Sequence, residues 1–163
     1  MDNRYRGARN RANGEQFERI IDTACDAFRK EGIALAEKTP EPMRPIRNMG
    51  AGKFLAVFRK KAQPDYKGMR CGGQTILFEA KYTETGAMLQ NRVTKEQEEQ
   101  LEQAWSWGAE VFVLCSFDNA RFFRIPWEVW REMKERYGAK KVTPEQIPEY
   151  EVKMDKQLIL RFL

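Results

Sequence analysis

The chain has 163 residues, of which 42% are hydrophobic, enough for one domain with a full apolar core. It contains no histidine, which excludes Ser-His-Asp and Cys-His catalysis, zinc hydrolysis on imidazole ligands and His-metal nucleases. The net charge is +5, and its basic part is gathered in two stretches, which points to a polyanionic partner.

Residues 1–13 form the first basic stretch, with Arg4, Arg6, Arg9 and Arg11 against Asp2, and no apolar periodicity. They are expected to be a mobile arm ahead of a single domain over 14–163. Asn13, with Gln16 three positions on, reads as a helix cap. Phe17, Ile20, Ile21, Ala24 and Phe28 then recur at helical spacing, predicting an amphipathic helix over 14–31 that closes at Gly32. Glu18 stands at the margin of its apolar stripe and on its own reads as a solvated helix charge.

A short strand is expected from Ile33 to Lys38. Pro40, Pro42 and Pro45 then forbid a continuous helix and favour an extended excursion over about 40–62. Lys53 to Phe58 reads as a strand within it, followed by the cationic run Arg59-Lys60-Lys61. Residues 37–70 are the second basic stretch, nine Lys/Arg against Glu37, Glu41 and Asp65, a local charge of +6. A basic excursion projecting from a sheet is a plausible nucleic-acid probe.

Thr75 to Lys81 is an apolar, β-branched run after the Cys71-Gly72-Gly73 breaker and reads as a strand. Alternation puts Thr75, Leu77, Glu79 and Lys81 on one face, and Ile76, Phe78 and Ala80 on the other. Asp65, before a Gly-containing turn, is returned to the same place by the hairpin. Two carboxylates and a lysine are the minimum for holding a hard divalent cation beside a phosphate. An Asp-x13-Glu-x-Lys pattern also describes a surface hairpin with an ordinary ion pair. The apolar character of the strand argues for a partner or a task for its charges.

Beyond a polar connection over 82–93, Thr94-Lys95-Glu96-Gln97 matches a capping box, so Gln97 has a purely local role open to it. That helix is expected to end at Gly108. Glu110 to Phe117 and Ala120 to Ile125 read as paired strands. Pro126 opens a helix through Arg136, with Trp127 and Trp130 as core anchors. Thr143-Pro144-Glu145-Gln146 suggests one more helical turn, and Leu158 to Leu163 a terminal strand or docked tail. The order predicts an α/β fold with a mixed central β-sheet flanked by helices.

Cys25, Cys71 and Cys115 are odd in number and far apart, which suits a reducing compartment better than a disulfide framework or zinc ribbon. No run approaches the roughly 18 apolar residues of a membrane span, and no apolar segment follows the basic start. A cytoplasmic location and no membrane partner are therefore expected.

The combination resembles the PD-(D/E)xK nuclease superfamily and, within it, the RecU-type Holliday junction resolvases. Gly14-x-x-Phe17-Glu18-x-x-Ile21 is similar to the family's acidic first helix. Lys38-Thr39-Pro40-Glu41-Pro42 is similar to its Lys-x-Pro-x-Pro entry to a stalk. Asp65-Tyr66-x-Gly68 matches its Asp-Tyr-x-Gly turn, Phe78-Glu79-Ala80-Lys81 its Phe-Glu-Ala-Lys strand, and Gln97 falls where the family places a glutamine. The pieces cover about residues 7–130 in order. Three departures stand out. The family often carries histidines around the Gln97 helix, Pro64 stands where relatives commonly have a hydroxyl residue, and the tail from 139 on matches no part of the family's pattern.

The resemblance implies a restriction-endonuclease-like fold with a projecting basic stalk. It also implies a homodimer that cuts a four-way DNA junction by paired symmetric nicks. Mg²⁺ or Mn²⁺ would be held by Asp65 and Glu79 with the Ala80 carbonyl, and Glu18 would assist a second ion or position water. Lys81 would orient the attacking water and offset charge on the phosphate, with Gln97 hydrogen-bonding water or backbone. Arg4, Arg6, Arg9, Arg11, Lys38, Arg44, Arg47, Lys53, Arg59, Lys60, Lys61 and Lys67 would contact DNA. The same residues also suit a superfamily nuclease acting on duplex, flap or damaged DNA. A non-catalytic recombination accessory protein that only binds DNA, and a soluble domain with an incidental basic surface, are the remaining readings.

Overall fold

Helix α1 runs from Asn3 to Lys30, longer at its start than its apolar stripe requires. The computed structural model describes residues 3–40, 43–58 and 63–163. The start of the helix is thus corrected from residue 14: from Asn3 onward the basic stretch is helix, and Asn13 lies inside it and is no cap. Tertiary contacts supply what propensity does not. Asn13 Nδ2 donates to the Tyr82 hydroxyl at 2.9 Å, Asn119 Nδ2 donates to the Asn13 carbonyl at 3.2 Å, and Arg9 pairs with Glu84 at 2.6 Å.

Strands β1 (Ala34–Lys38), β4 (Tyr66–Arg70), β5 (Thr75–Thr83), β7 (Glu110–Phe117), β8 (Arg121–Pro126) and β10 (Glu151–Val152) form the central sheet in the order β1-β4-β5-β7-β8-β10. β5 and β7 are parallel and every other pair is antiparallel, so the sheet is mixed as expected. The parallel pair exists because the connection between them crosses over through helix α2 (Lys95–Ser106). β2 (Met43–Gly50) and β3 (Lys53–Phe58) pair only with each other, as a hairpin inside the expected stalk region. Every residue of β2 is exposed, including Met43, Ile46 and Met49, and Phe54 and Leu55 of β3 are exposed too. A smaller pair joins β6 (Met88–Leu89) to β9 (Lys141–Val142).

The alternation of β5 divides the core. Ile76 and Phe78 point to the α1 side, where Phe17, Ile21, Phe28 and Phe112 are buried with them. The other side packs Leu101 of α2 with Val113, Phe123, Trp127 and Trp130. The helix expected from Pro126 through Arg136 is two short helices, α3 (Trp127–Arg131) and α4 (Met133–Tyr137), meeting at Glu132. The terminal residues are a docked tail: Leu160 and Phe162 are buried, and the Phe162 ring meets Phe28 and Phe78 edge-on.

Gly68 is required by close approach. A Cβ there would overlap the Leu35 carbonyl oxygen and stand 2.6 Å from the Ala36 Cα, so only glycine lets β4 lie against β1 at this register.

Candidate active site

Asp65 precedes β4, and Glu79 lies in β5. The register Tyr66↔Phe78 carries the chain of Asp65 alongside Glu79, so the hairpin brings the two carboxylates together as expected. The contact is reciprocal. The Asp65 backbone N–H donates to Glu79 Oε1 at 3.3 Å, and the Ala80 N–H donates to Asp65 Oδ2 at 3.0 Å. Lys81, two residues along on the same face as Glu79, places Nζ 2.7 Å from Glu79 Oε2 and 3.5 Å from Asp65 Oδ2. Beneath the site Tyr66 stacks on Phe78, and Phe78 on Phe112, with centroids 4.8 and 4.7 Å apart. That rigid stack holds the two strands in register.

Gln97 is at once a capping residue and a member of the site. Its Oε1 accepts the Thr94 N–H at 3.0 Å and its own N–H donates to Thr94 Oγ1, closing the capping box. Its Nε2 donates to Glu79 Oε2 at 2.6 Å, and its Oε1 also lies 3.4 Å from Lys81 Nζ. The cap orients the amide so that its free end reaches the carboxylate.

Glu79 is fully buried, and this sets its chemistry. Burial pushes its carboxyl up to about 8; Lys81 works against the rise, and neighbouring Asp65 adds to it. A second positive charge on this pair would relieve the cost of ionising it. The two carboxylates form a hard oxygen pair, which fits a Mg²⁺-like ion that keeps several waters and takes one or two carboxylates. Among the described residues, no three Asp, Glu or Cys side chains are grouped so as to hold a metal by themselves.

Glu18 stands apart from that pair. Its Oε2 accepts from Lys38 Nζ at 2.6 Å, so Lys38 is engaged as well. Glu18 and Lys81 both line an open cavity of about 750 Å³, which Asn10, Glu84 and Arg92 also line. Arg9 and Arg11 are exposed on the first turns of α1; Arg44, Arg47 and Lys53 are exposed on the hairpin. Lys67 is exposed on the sheet face that also carries Met69. The side chains of Arg4 and Arg6, and all of Arg59, Lys60 and Lys61, lie outside the described residues.

Three contributors escaped the sequence reading. Asp22 accepts the Tyr66 hydroxyl at 2.9 Å and anchors β4 to α1. Its position four residues after Glu18 on a helix was the available signal. Tyr82 ties α1 to the far end of β5, bonding Asn13 and also Asp118 at 3.1 Å. Arg92 donates to the Tyr82 carbonyl at 2.8 Å. Neither Tyr82 nor Arg92 belongs to a local motif.

The family model described as Recombination protein U matches residues 12–163. The chain belongs to the RecU family. Holliday junction resolvase RecU of Streptococcus pneumoniae (strain Hungary19A-6) is 30% identical over 112 residues, covering 65% of this chain and 56% of that protein. The RecU of Streptococcus gordonii (strain Challis) is 29% identical over 114 residues, covering 66% and 56%. The alignment spans little more than half the length of these curated relatives. Among solved structures, Hjc of Archaeoglobus fulgidus, a Holliday junction resolvase from an archaeal hyperthermophile, matches with a TM-score of 0.51 at 21% identity. The match covers 83% of this chain and 92% of Hjc. That likeness shows the fold, which is restriction-endonuclease-like. The RecU model also includes the tail beyond residue 139, which corrects the expectation that the tail falls outside the family's pattern.

Proposed function

We propose that this RecU-family chain is a metal-dependent endonuclease that, as a homodimer, resolves four-way DNA junctions by paired nicks. The observation that carries the reading is the placement of Asp65, Glu79 and Lys81 at the β4–β5 hairpin, beside a cavity open to solvent. Asp65, Glu79 and the Ala80 carbonyl would hold an Mg²⁺ or Mn²⁺ ion, which would supply Lewis acidity for phosphodiester hydrolysis.

The chain's own groups do the rest. Lys81, already 2.7 Å from Glu79, orients a water for attack and offsets charge developing on the phosphate. Gln97 fixes the Glu79 carboxylate through its 2.6 Å bond, so the carboxylate does not swing away from Asp65. Glu18, on the other wall of the cavity, orders water or a second ion. Arg9, Arg11, Arg44, Arg47 and Lys53 neutralise phosphates, which makes affinity fall steeply with salt. The hairpin's exposed Met49 and Phe54 suit insertion between unstacked bases at a junction centre.

The test is a labelled synthetic four-way junction beside the equivalent linear duplex, in Mg²⁺, Mn²⁺ or chelator, with Lys81→Ala as control. Metal-dependent paired nicks confined to the junction, and lost in the variant, are expected. Equal cutting of both substrates would make the chain a general nuclease. Tight binding without any cleavage would overturn the enzymatic reading. Asp65→Asn and Glu79→Gln should abolish turnover while binding persists.

A further inference from the structure

Strand β5 outruns its partner on one edge. On the β4 side its register ends at Tyr66↔Phe78, whereas on the β7 side it continues to Thr83↔Phe117. Backbone groups alternate between the two edges of a strand, and the Ala80 N–H, donated to Asp65 Oδ2, marks the β4 edge. The Ala80 and Tyr82 carbonyls therefore point to that same edge, beyond the end of β4. The Tyr82 carbonyl accepts from Arg92 Nη2 at 2.8 Å. Arg92 thus stands on the edge that carries the carboxylate site, two strand residues past Ala80, or roughly 7 Å along. It lines the same cavity as Glu18, Ala80 and Lys81.

The segment that carries Arg92 is fixed at its base. Met88 and Val93 on either side are buried, the Gln90 N–H donates to the Lys140 carbonyl at 3.0 Å, and Gln90 Nε2 donates to the Trp130 carbonyl at 2.7 Å. The Arg92 side chain itself is exposed. Two acids that line the cavity are each paired with a cation, Glu18 with Lys38 and Glu84 with Arg9. Arg92 is tied instead to a neutral carbonyl, which aims the guanidinium without cancelling its charge. A neutral donor would seal the strand edge equally well, so the cation suits an anion in the cavity. A guanidinium carries five N–H donors in a rigid fork, and one can hold the Tyr82 carbonyl while others take a phosphate oxygen.

We infer that Arg92 is a substrate-binding residue that holds the DNA phosphate next to the scissile one and so sets the strand's position along the edge of β5. A cation roughly 7 Å from Ala80 is too far away to share the scissile phosphate and meets its neighbour. The inference rests on the nuclease reading and adds to it a group that positions the cut strand.

Arg92→Gln keeps a donor for the Tyr82 carbonyl but removes the charge, and Arg92→Lys keeps the charge. Both are compared with the wild type for binding to a labelled four-way junction in chelator, across a range of salt, and for single-turnover cleavage in Mg²⁺. The Gln variant should bind about tenfold more weakly, with a salt slope lower by about one, while the Lys variant keeps the slope. Half-saturation in cleavage should rise by the same factor, and the maximal rate should change less. Junctions that each carry one neutral methylphosphonate near the branch point supply a second binding arm. One of them should weaken the wild type about tenfold and leave the Gln variant unchanged. A Gln variant that binds like the wild type, or whose deficit persists at every neutralised phosphate, would overturn the assignment and leave Arg92 a structural tie. A wild type that binds junctions and never cuts them would sink the nuclease reading alone, since the two binding arms still decide whether Arg92 holds a phosphate.

Discussion

Glu79 gives this chain an unusual titration. Its carboxyl is fully buried and rises from 4.5 to about 8, chiefly because burial penalises the charge. The folded state therefore holds a proton that the unfolded chain releases near pH 4.5. A raised carboxyl gives stability that is complete below pH 4.5 and is lost as pH climbs toward 8. One proton is worth about 1.36 kcal/mol per pH unit, so the loss between pH 5 and 8 comes to roughly 3–4 kcal/mol. The absence of histidine makes the measurement clean, since no imidazole titrates in that window. Burial also pushes the Cys25 and Cys115 thiols upward, out of the window. Urea unfolding at half-unit steps from pH 5 to 8, in chelator, should show wild-type stability falling with pH. Glu79→Gln removes the titration and should flatten the profile. A wild type with constant stability, or a variant keeping the same slope, would refute the account of a desolvated carboxylate.

Three further outcomes follow from other parts of the structure. Mg²⁺ or Mn²⁺ should restore the stability lost toward pH 8, and Asp65→Asn should abolish that rescue in a thermal-shift titration; an undiminished rescue would move the metal elsewhere. Gly68→Ala must displace β1 backbone and should cost about 3 kcal/mol, read by denaturant unfolding, whereas a loss under about 1 kcal/mol would mean that β1 yields freely. Glu110 accepts from Arg70 at 2.5 and 2.9 Å and from Arg124, whose guanidinium lies 4.2 Å from the Phe112 ring centroid. Arg70 holds the Glu110 carboxyl below its usual range. Its contribution is therefore present above about pH 4.5 and lost as acid protonates it. Glu110→Gln leaves two half-buried guanidinium groups facing a neutral amide and should cost about 2–3 kcal/mol at neutral pH, with a flatter acid limb.

Much of the site was legible because its parts are local. Strand alternation alone put Glu79 and Lys81 on one face. The turn expected just after Asp65 is strand β4 instead, with Gly68 inside it, and the reversal that returns Asp65 to Glu79 is closed by the Cys71-Gly72-Gly73 segment. The capping box at Thr94 and Gln97 was legible too, but it read as one of two competing roles. Only the tertiary structure gave Gln97 both, since its second hydrogen bond crosses from α2 to β5. The start of α1 was misjudged for a related reason. Its first turns have no apolar stripe, and the contacts that order them reach Tyr82, Glu84 and Asn119, far along the chain. The break at Glu132 and the docking of Leu160 and Phe162 are likewise long-range decisions.

Composition, periodicity and motif spacing by themselves determined the longer helices and central strands, the mixed sheet, the exclusion of histidine chemistry and the carboxylate–lysine pattern, because each follows from backbone period and residue type. Packing alone decided how deeply Glu79 is buried, that Glu18 pairs with Lys38, and that Leu35 and Met69 stand exposed. Burial and the pairing of distant charges are properties of the assembled core, and no local pattern encodes them.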